Sequence, residues 1–163
     1  MEDLKKVKWI ILDVDGVLTD GKIIYDSEGR EIKVFCVKDG YGIHMAKKYG
    51  INFAIISGRK SKVVDIRAKE LGIEEVYQLS TDKVKDYLKI KEKYKFNDDE
   101  VIYIGDDLQD IPLLKMVGFP ITVPNSPKEV KKVAVYITSR NGGDGAVREV
   151  IDLVLRAKGL LNV

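Results

Sequence analysis

Two carboxylates stand one residue apart in Asp13-Val14-Asp15, with Gly16 directly behind them. A second acidic group, Asp106, Asp107 and Asp110, follows Gly105 in the stretch YIGDDLQD. Carboxylates crowded into one crevice repel one another and raise each other's pKa. A hard divalent cation removes that conflict, and a few carboxylates at a site with room for phosphate and water suit Mg²⁺. Ser57 and Gly58, in AIISGRKS, offer a hydroxyl and backbone N–H groups where a helix is expected to begin, which is an anion cradle. Lys83, in QLSTDKVKDY, adds a cation. Each feature alone is ordinary: Asp after a strand is a common cap or turn residue, and a lysine at a helix start usually meets solvent. Together they describe phosphoryl transfer. Asp13 can attack phosphorus, giving an aspartyl-phosphate. Asp15 is placed to protonate the leaving alcohol and then to deprotonate water. Mg²⁺, Lys83 and Ser57 would neutralise charge on the transferred group.

These residues need strands to carry them. Val7–Leu12, Asn52–Ile56, Val101–Ile104 and Phe119–Val123 are short apolar runs that read as buried strands, with shorter candidates at Val76–Leu79 and Val133–Ile137. Helical stretches fall near Tyr41–Tyr49, Lys60–Leu71, Asp82–Tyr94, Gln109–Val117, Lys128–Lys132 and Gly145–Lys158. Strands alternating with helices predict an α/β fold, a doubly wound parallel sheet covered on both faces. Ligands bind such sheets at the carboxyl ends of the strands, where Asp13 and Asp106 fall. One segment breaks the rhythm. Residues 22–37 read as strand, polar glycine-containing turn and strand, a β-hairpin inserted after the first strand.

The 163 residues suit a single domain over 1–163. A net charge of +2, from 28 basic and 26 acidic residues, argues for no nucleic-acid partner. The lone Cys36 excludes an internal disulfide framework. The charged opening segment does not read as a secretion signal, and the apolar runs fall far short of the ~20 residues a membrane span needs, so a cytoplasmic protein is expected.

Asp13-Val-Asp15-Gly16-Val17, Ser57-Gly58-Arg59, Lys83 and Gly105-Asp106-Asp107 with Asp110 occur in the order of the motifs of the haloacid-dehalogenase-like phosphatase superfamily, which the chain resembles. The resemblance makes Asp13 the nucleophile and a Mg²⁺ ligand, Asp15 the acid/base and a ligand through its backbone carbonyl, and Asp106 the third protein ligand. Asp107 and Asp110 are then supporting acids. A signalling receiver domain would need no acid/base at Asp15, and intact motifs speak against a non-catalytic assembly module of the same fold.

A finer resemblance rests on LDVDGVLTDG, VKDGYGI, ISGRKS, YIGDDLQDIPLL and GGDGAVREVIDLVL. These resemble the small branch without a cap domain, the 3-deoxy-D-manno-octulosonate 8-phosphate (KDO 8-phosphate) phosphatases. That implies a sugar-acid phosphate substrate, a place in lipopolysaccharide precursor synthesis, and a homotetramer whose hairpins help to close neighbouring sites. It implies that Cys36, Val37, Lys38, Asp39 and Gly40 line the substrate site beside Asp15, Gly58 and Lys83. Arg59 and Arg67, eight residues apart on the second helix, then share a face and bind the sugar carboxylate. Lys38 and His44 stand where arginine is common, which bears on fine specificity. The pair Gly142-Gly143 is expected near the site as a hinge, with Asp144 opening the last helix and a short tail ending at Val163.

Overall fold

The computed structural model describes residues 2–161. Trp9–Leu12 (β1), buried at every position, is the central strand. Asn52–Ile56 (β4) and Val101–Ile104 (β6) flank it in parallel, Ile10 facing Phe53 on one side and Ile102 on the other. Glu75–Tyr77 (β5), Phe119–Thr122 (β7) and Tyr136–Ile137 (β8) extend the sheet, giving the order β5-β4-β1-β6-β7-β8, parallel throughout. Ile24–Tyr25 (β2) and Glu31–Ile32 (β3) form a separate antiparallel pair.

Alternation along each strand divides the core in two. Ile10, Leu12, Phe53 and Ile55 pack beneath Val37–Lys48 (α1), Lys62–Leu71 (α2) and Ala146–Ala157 (α6). Trp9, Ile11, Ala54 and Ile56 pack beneath Lys83–Tyr94 (α3), Ile111–Leu114 (α4) and Lys128–Val133 (α5). The expected doubly wound fold with an inserted hairpin, and no cap domain among the described residues, is what the chain adopts.

The differences are local. The first strand begins at Trp9 rather than Val7, whose N–H closes back onto the preceding 3₁₀ turn, donating to the Leu4 carbonyl at 3.2 Å. The hairpin strands have only two residues each, and Val37, placed in a strand by its sequence, begins α1. The helix expected over Gln109–Val117 shrinks to a 3₁₀ turn at Leu108–Asp110 followed by the four residues of α4, with Pro112 at its start. Proline carries no N–H and fits only a first helical turn. The tail expected to end at Val163 lies outside the described residues beyond Leu161.

Candidate active site

β1 delivers Asp13 to the carboxyl edge of the sheet, where its N–H donates to the Ile104 carbonyl at 3.0 Å. The side chain is buried and held on both oxygens: the Val14 N–H donates to Oδ1 at 2.7 Å and Lys83 Nζ to Oδ2 at 2.8 Å. Lys83 is the first residue of α3, whose cap is Asp82, accepting from the Lys85 N–H at 3.1 Å. Its buried ammonium also donates to Asp110 Oδ1 at 2.6 Å and to the Tyr103 hydroxyl at 3.3 Å. Tyr103 in turn donates to Asp110 Oδ1 at 2.6 Å. The other oxygen of Asp110 accepts the N–H groups of Asp106 and Asp107, at 2.9 and 3.1 Å. Asp110, with no exposed surface, is therefore saturated by four donors and shapes the loop that carries Asp106. Asp107 is exposed and accepts from the Leu108 N–H at 2.7 Å, so it caps the following turn.

Asp106 lies across Gly16. A Cβ at Gly16 would fall 1.9 Å from Asp106 Oδ2, and its φ of +91° is a left-handed conformation that glycine tolerates. This close approach is why glycine follows the two aspartates.

The charges do not balance. Carboxylate oxygens of Asp13, Asp106 and Asp110 lie within 4.8 Å of one another, with Lys83 the buried cation among them. Burial raises the Asp13 carboxyl to about 6 despite Lys83, with Asp110 adding to the rise. Burial raises Asp106 to about 7, helped by the charges of Asp13, Asp110 and Asp107. For Lys83, burial works against the charge, but Asp13 and Asp110 together outweigh it and hold the pKa above the usual lysine value. A divalent cation suits this set: it answers the excess negative charge, and Asp13 and Asp106 are the two carboxylates whose oxygens are not saturated by protein donors.

The mouth of the site is built differently. Lys33, beyond β3, donates to Asp15 Oδ1 at 2.5 Å and pairs with Glu31 Oε1 at 2.6 Å, its side chain 1% exposed. Arg59 forks onto Glu31, at 3.1 and 3.3 Å, and its guanidinium stands 3.6 Å from Asp15 Oδ2. A cavity of about 550 Å³ opens here, lined among others by Asp13, Asp15, Ser57, Arg59, Asp106 and Gln109.

Ser57 and Gly58 reach this cavity, but not as a helix N-terminus. α2 begins five residues beyond Ser57, capped by Ser61, which accepts from the Val63 N–H at 3.3 Å. Ser57 instead directly follows β4, its N–H donating to the Tyr77 carbonyl at 2.8 Å and its carbonyl accepting from the Ser80 N–H at 3.0 Å. For the same reason Arg59 and Arg67 do not share a helix face, since Arg59 precedes α2.

Residues 36–40 line the cavity nowhere in the described chain. Cys36 caps α1 without a side-chain bond, Val37 is exposed, and Lys38 faces a separate groove along α6 beside Arg140 and Arg156. Arg67 lies under the start of α1: a Cβ at Gly40 would meet its guanidinium at 2.6 Å, and it stacks on Phe35 with the cation 5.4 Å from the ring centroid. His44 is exposed on α1. Asp39 is buried and accepts from the Arg148 N–H at 2.8 Å, in the first turn of α6. It does the capping expected of Asp144, because the residue before α6 is Gly145, which has no side chain to do it. Burial raises its carboxyl to about 6.

Gly142 and Gly143 are not a loose hinge. A Cβ at Gly142 would fall 1.9 Å from the Gly16 carbonyl oxygen, and the Gly143 N–H donates to the Val17 carbonyl at 3.1 Å. The pair presses its backbone against the loop that carries Asp15. Sequence reasoning missed Glu31, Lys33, Tyr103 and Gln109. Glu31 and Lys33 share one side of an extended segment by their i, i+2 spacing, which was the available signal. Tyr103 carried none, being one apolar-looking residue in an apolar strand.

A family model of haloacid dehalogenase-like hydrolases matches residues 60–151. The chain is 43% identical over 162 residues to the 3-deoxy-D-manno-octulosonate 8-phosphate phosphatase KdsC of Escherichia coli, covering 99% of this chain and 86% of that protein. KdsC of Yersinia pestis is 41% identical over 95% of this chain and 83% of its own length. Among solved structures, the 3-deoxy-D-manno-octulosonate 8-phosphate phosphatase of Moraxella catarrhalis, in complex with magnesium, phosphate and KDO, superimposes with a TM-score of 0.94 at 46% identity, over 97% of this chain and 91% of that one. The cobalt-bound Haemophilus influenzae enzyme gives a TM-score of 0.92 at 37% identity, over 96% and 92%. Likeness of this degree over nearly the whole of both partners leaves one placement: the chain belongs to the haloacid dehalogenase-like hydrolases, in the branch of the 3-deoxy-D-manno-octulosonate 8-phosphate phosphatases.

Proposed function

We propose that the protein is a Mg²⁺-dependent phosphatase that hydrolyses KDO 8-phosphate to the free sugar acid and inorganic phosphate. The observation that carries this reading is Asp13, buried at the end of the central strand and gripped by Lys83 at 2.8 Å, with Asp106 close by. Asp13 and Asp106 would hold the cation, together with the backbone carbonyl of Asp15. Bound there, Mg²⁺ would neutralise charge on the phosphoryl group and on the carboxylates.

The chain's own groups do the rest. With its pKa near 6, Asp13 is mostly ionised at neutral pH, as a nucleophile must be. Its attack forms the aspartyl–phosphorus bond while the bond to the sugar oxygen breaks, and Asp15 gives that oxygen a proton. Asp15 then takes a proton from the water that attacks phosphorus and releases phosphate from Asp13. Lys83 stays charged throughout and offsets the charge developing near Asp13. Ser57, Gly58 and Arg59 line the cavity against the phosphate and the sugar.

We read residues 1–163 as one domain acting in the cytoplasm as a homotetramer. The hairpin and the start of α1 expose Ile23, Tyr25, Ile32, Val34, Val37 and Tyr41, an apolar surface of the kind that subunits cover. Since Cys36, Val37, Lys38 and Arg67 lie away from their own cavity, in this reading they serve a neighbouring subunit's substrate, while the buried Asp39 caps α6 and Gly40 packs on Arg67. The test is phosphate release from KDO 8-phosphate with Mg²⁺, with EDTA, and against glucose 6-phosphate. A higher kcat/KM on the sugar acid and loss of activity in EDTA support the reading; faster turnover of glucose 6-phosphate overturns the substrate assignment.

A further inference from the structure

Among the described residues, one hydrogen-bond donor reaches the Asp15 side chain, and it belongs to none of the motifs that carry the chemistry. Lys33 donates to Asp15 Oδ1 at 2.5 Å. Its ammonium is anchored from behind by Glu31 at 2.6 Å, and Glu31 is fixed in turn by the two bonds from Arg59. The Lys33 side chain is 1% exposed, against 77% for Lys22 at the base of the same hairpin. A lysine seldom gives up its hydration without a bound partner. Asp15 precedes Gly16, whose N–H donates to the Thr19 hydroxyl at 3.3 Å, so this turn is closed without the Asp15 carboxyl. The side chain is aimed by what it touches.

We propose that Lys33 is a positioning residue for Asp15, and that the inserted hairpin thereby works in the active site of its own subunit. This rests on the phosphatase reading above. Lys33 holds Oδ1, so the proton for the leaving oxygen is carried on Oδ2, which stands 3.6 Å from the Arg59 guanidinium at the cavity wall. In the step concerned, the bond from Asp13 to phosphorus forms, the phosphorus–oxygen bond to the alcohol breaks, and the Asp15 proton passes to that alcohol oxygen. Lys33 neither gains nor loses a proton in it. Its part is to keep the donor on line, and misplacement of such a group costs rate even when the group is present.

The leaving group separates positioning from mere structural support. A sugar alkoxide needs a proton to depart; 4-nitrophenolate does not. The ratio kcat/KM covers only steps through departure of the first product, so it isolates this proton transfer from later hydrolysis of the aspartyl-phosphate. The experiment compares kcat/KM for KDO 8-phosphate and for 4-nitrophenyl phosphate in the wild type, Lys33→Met and Lys33→Gln, all with Mg²⁺. Lys33→Met is expected to lose about 10- to 100-fold on the sugar phosphate, a part of the ~10²–10⁴ that acid–base catalysis contributes. The loss on the nitrophenyl ester is expected to be at least tenfold smaller. Lys33→Gln, which keeps an uncharged donor one bond nearer the backbone, should recover part of the difference. Equal losses on both substrates, or no loss on either, overturn the proposal. Should Lys33→Met fail to fold, the same ratio in Lys33→Gln decides. A wild type that hydrolyses neither ester overturns the phosphatase reading instead, so the two failures are distinct.

Discussion

The floor and the mouth of this site solve the same problem, holding charge in place, by opposite means. The floor draws Asp13, Lys83, Tyr103 and Asp110 from separate elements and locks them by sheet register and burial, each at most 5% exposed. The mouth gathers Asp15, Glu31, Lys33 and Arg59 on loops and on a hairpin whose strands pair over two residues each. Positions beside parallel strands are fixed by backbone pairing. Positions set by side-chain pairs on a small hairpin depend on those pairs surviving. In the phosphatase reading, the step common to all phosphate esters falls to the part locked by the sheet, and the contact with the leaving group to the part held by side-chain pairs.

That division can be attacked at four points. Asp13→Asn removes the nucleophile from the floor and should cost activity on the order of 10⁴-fold or more on every ester, read as phosphate release; measurable turnover near the wild type breaks the division at its base. Asp15→Asn, at the mouth, should cost about 10²–10⁴-fold on the sugar phosphate, and an equal cost on an aryl phosphate kcat/KM would blur floor and mouth together. Arg67→Ala lies outside both. Loss of one charge-assisted contact, about 1.5–3 kcal/mol, should raise KM for KDO 8-phosphate roughly ten- to a hundredfold and leave the aryl ester nearly unaffected; matching losses would make Arg67 purely structural.

The smallest effect concerns stability. Asp13 and Asp106 titrate in the folded protein near 6 and 7, above the ordinary aspartate value of 3.8. A raised carboxyl stabilises the fold below its unfolded pKa, and that contribution is lost as pH rises through the folded value. The metal-free protein should therefore lose stability between about pH 4 and 7, and added Mg²⁺ should raise Tm by several degrees more at pH 8 than at pH 5. Asp39, near 6, slopes the same way without binding metal, so Asp106→Asn is the informative control. A Mg²⁺ shift equal at both pH values would detach the carboxylate crowding from the cation.

The parts legible in the sequence were those tied to uninterrupted apolar strands. β1, β4 and β6 showed as apolar runs, and with them the places of Asp13 and Asp106. What stayed hidden depended on side chains meeting across large separations. Asp39 caps α6 from 109 residues away, and no local pattern distinguishes that from a substrate contact. Ser57 looked like a helix cap because a turn of four residues before Ser61 leaves no mark in composition. Arg59 and Arg67 have helical spacing, yet one lies before the helix begins. Lys33 was hidden because a lysine on a short hairpin is ordinarily solvated, and only its two acidic neighbours make burial tolerable.

Trp9, the one tryptophan of the chain, lies on β1 and is 4% exposed, its ring 4.7 Å from that of Tyr94 and 5.2 Å from that of Phe96. The chain thereby carries an optical probe four residues from Asp13. β1 is made first but stands between β4 and β6, so it is enclosed only after most of the chain has arrived. Tryptophan emission during refolding should blue-shift with the same time course as activity returns, the central strand and its catalytic end being closed by one event.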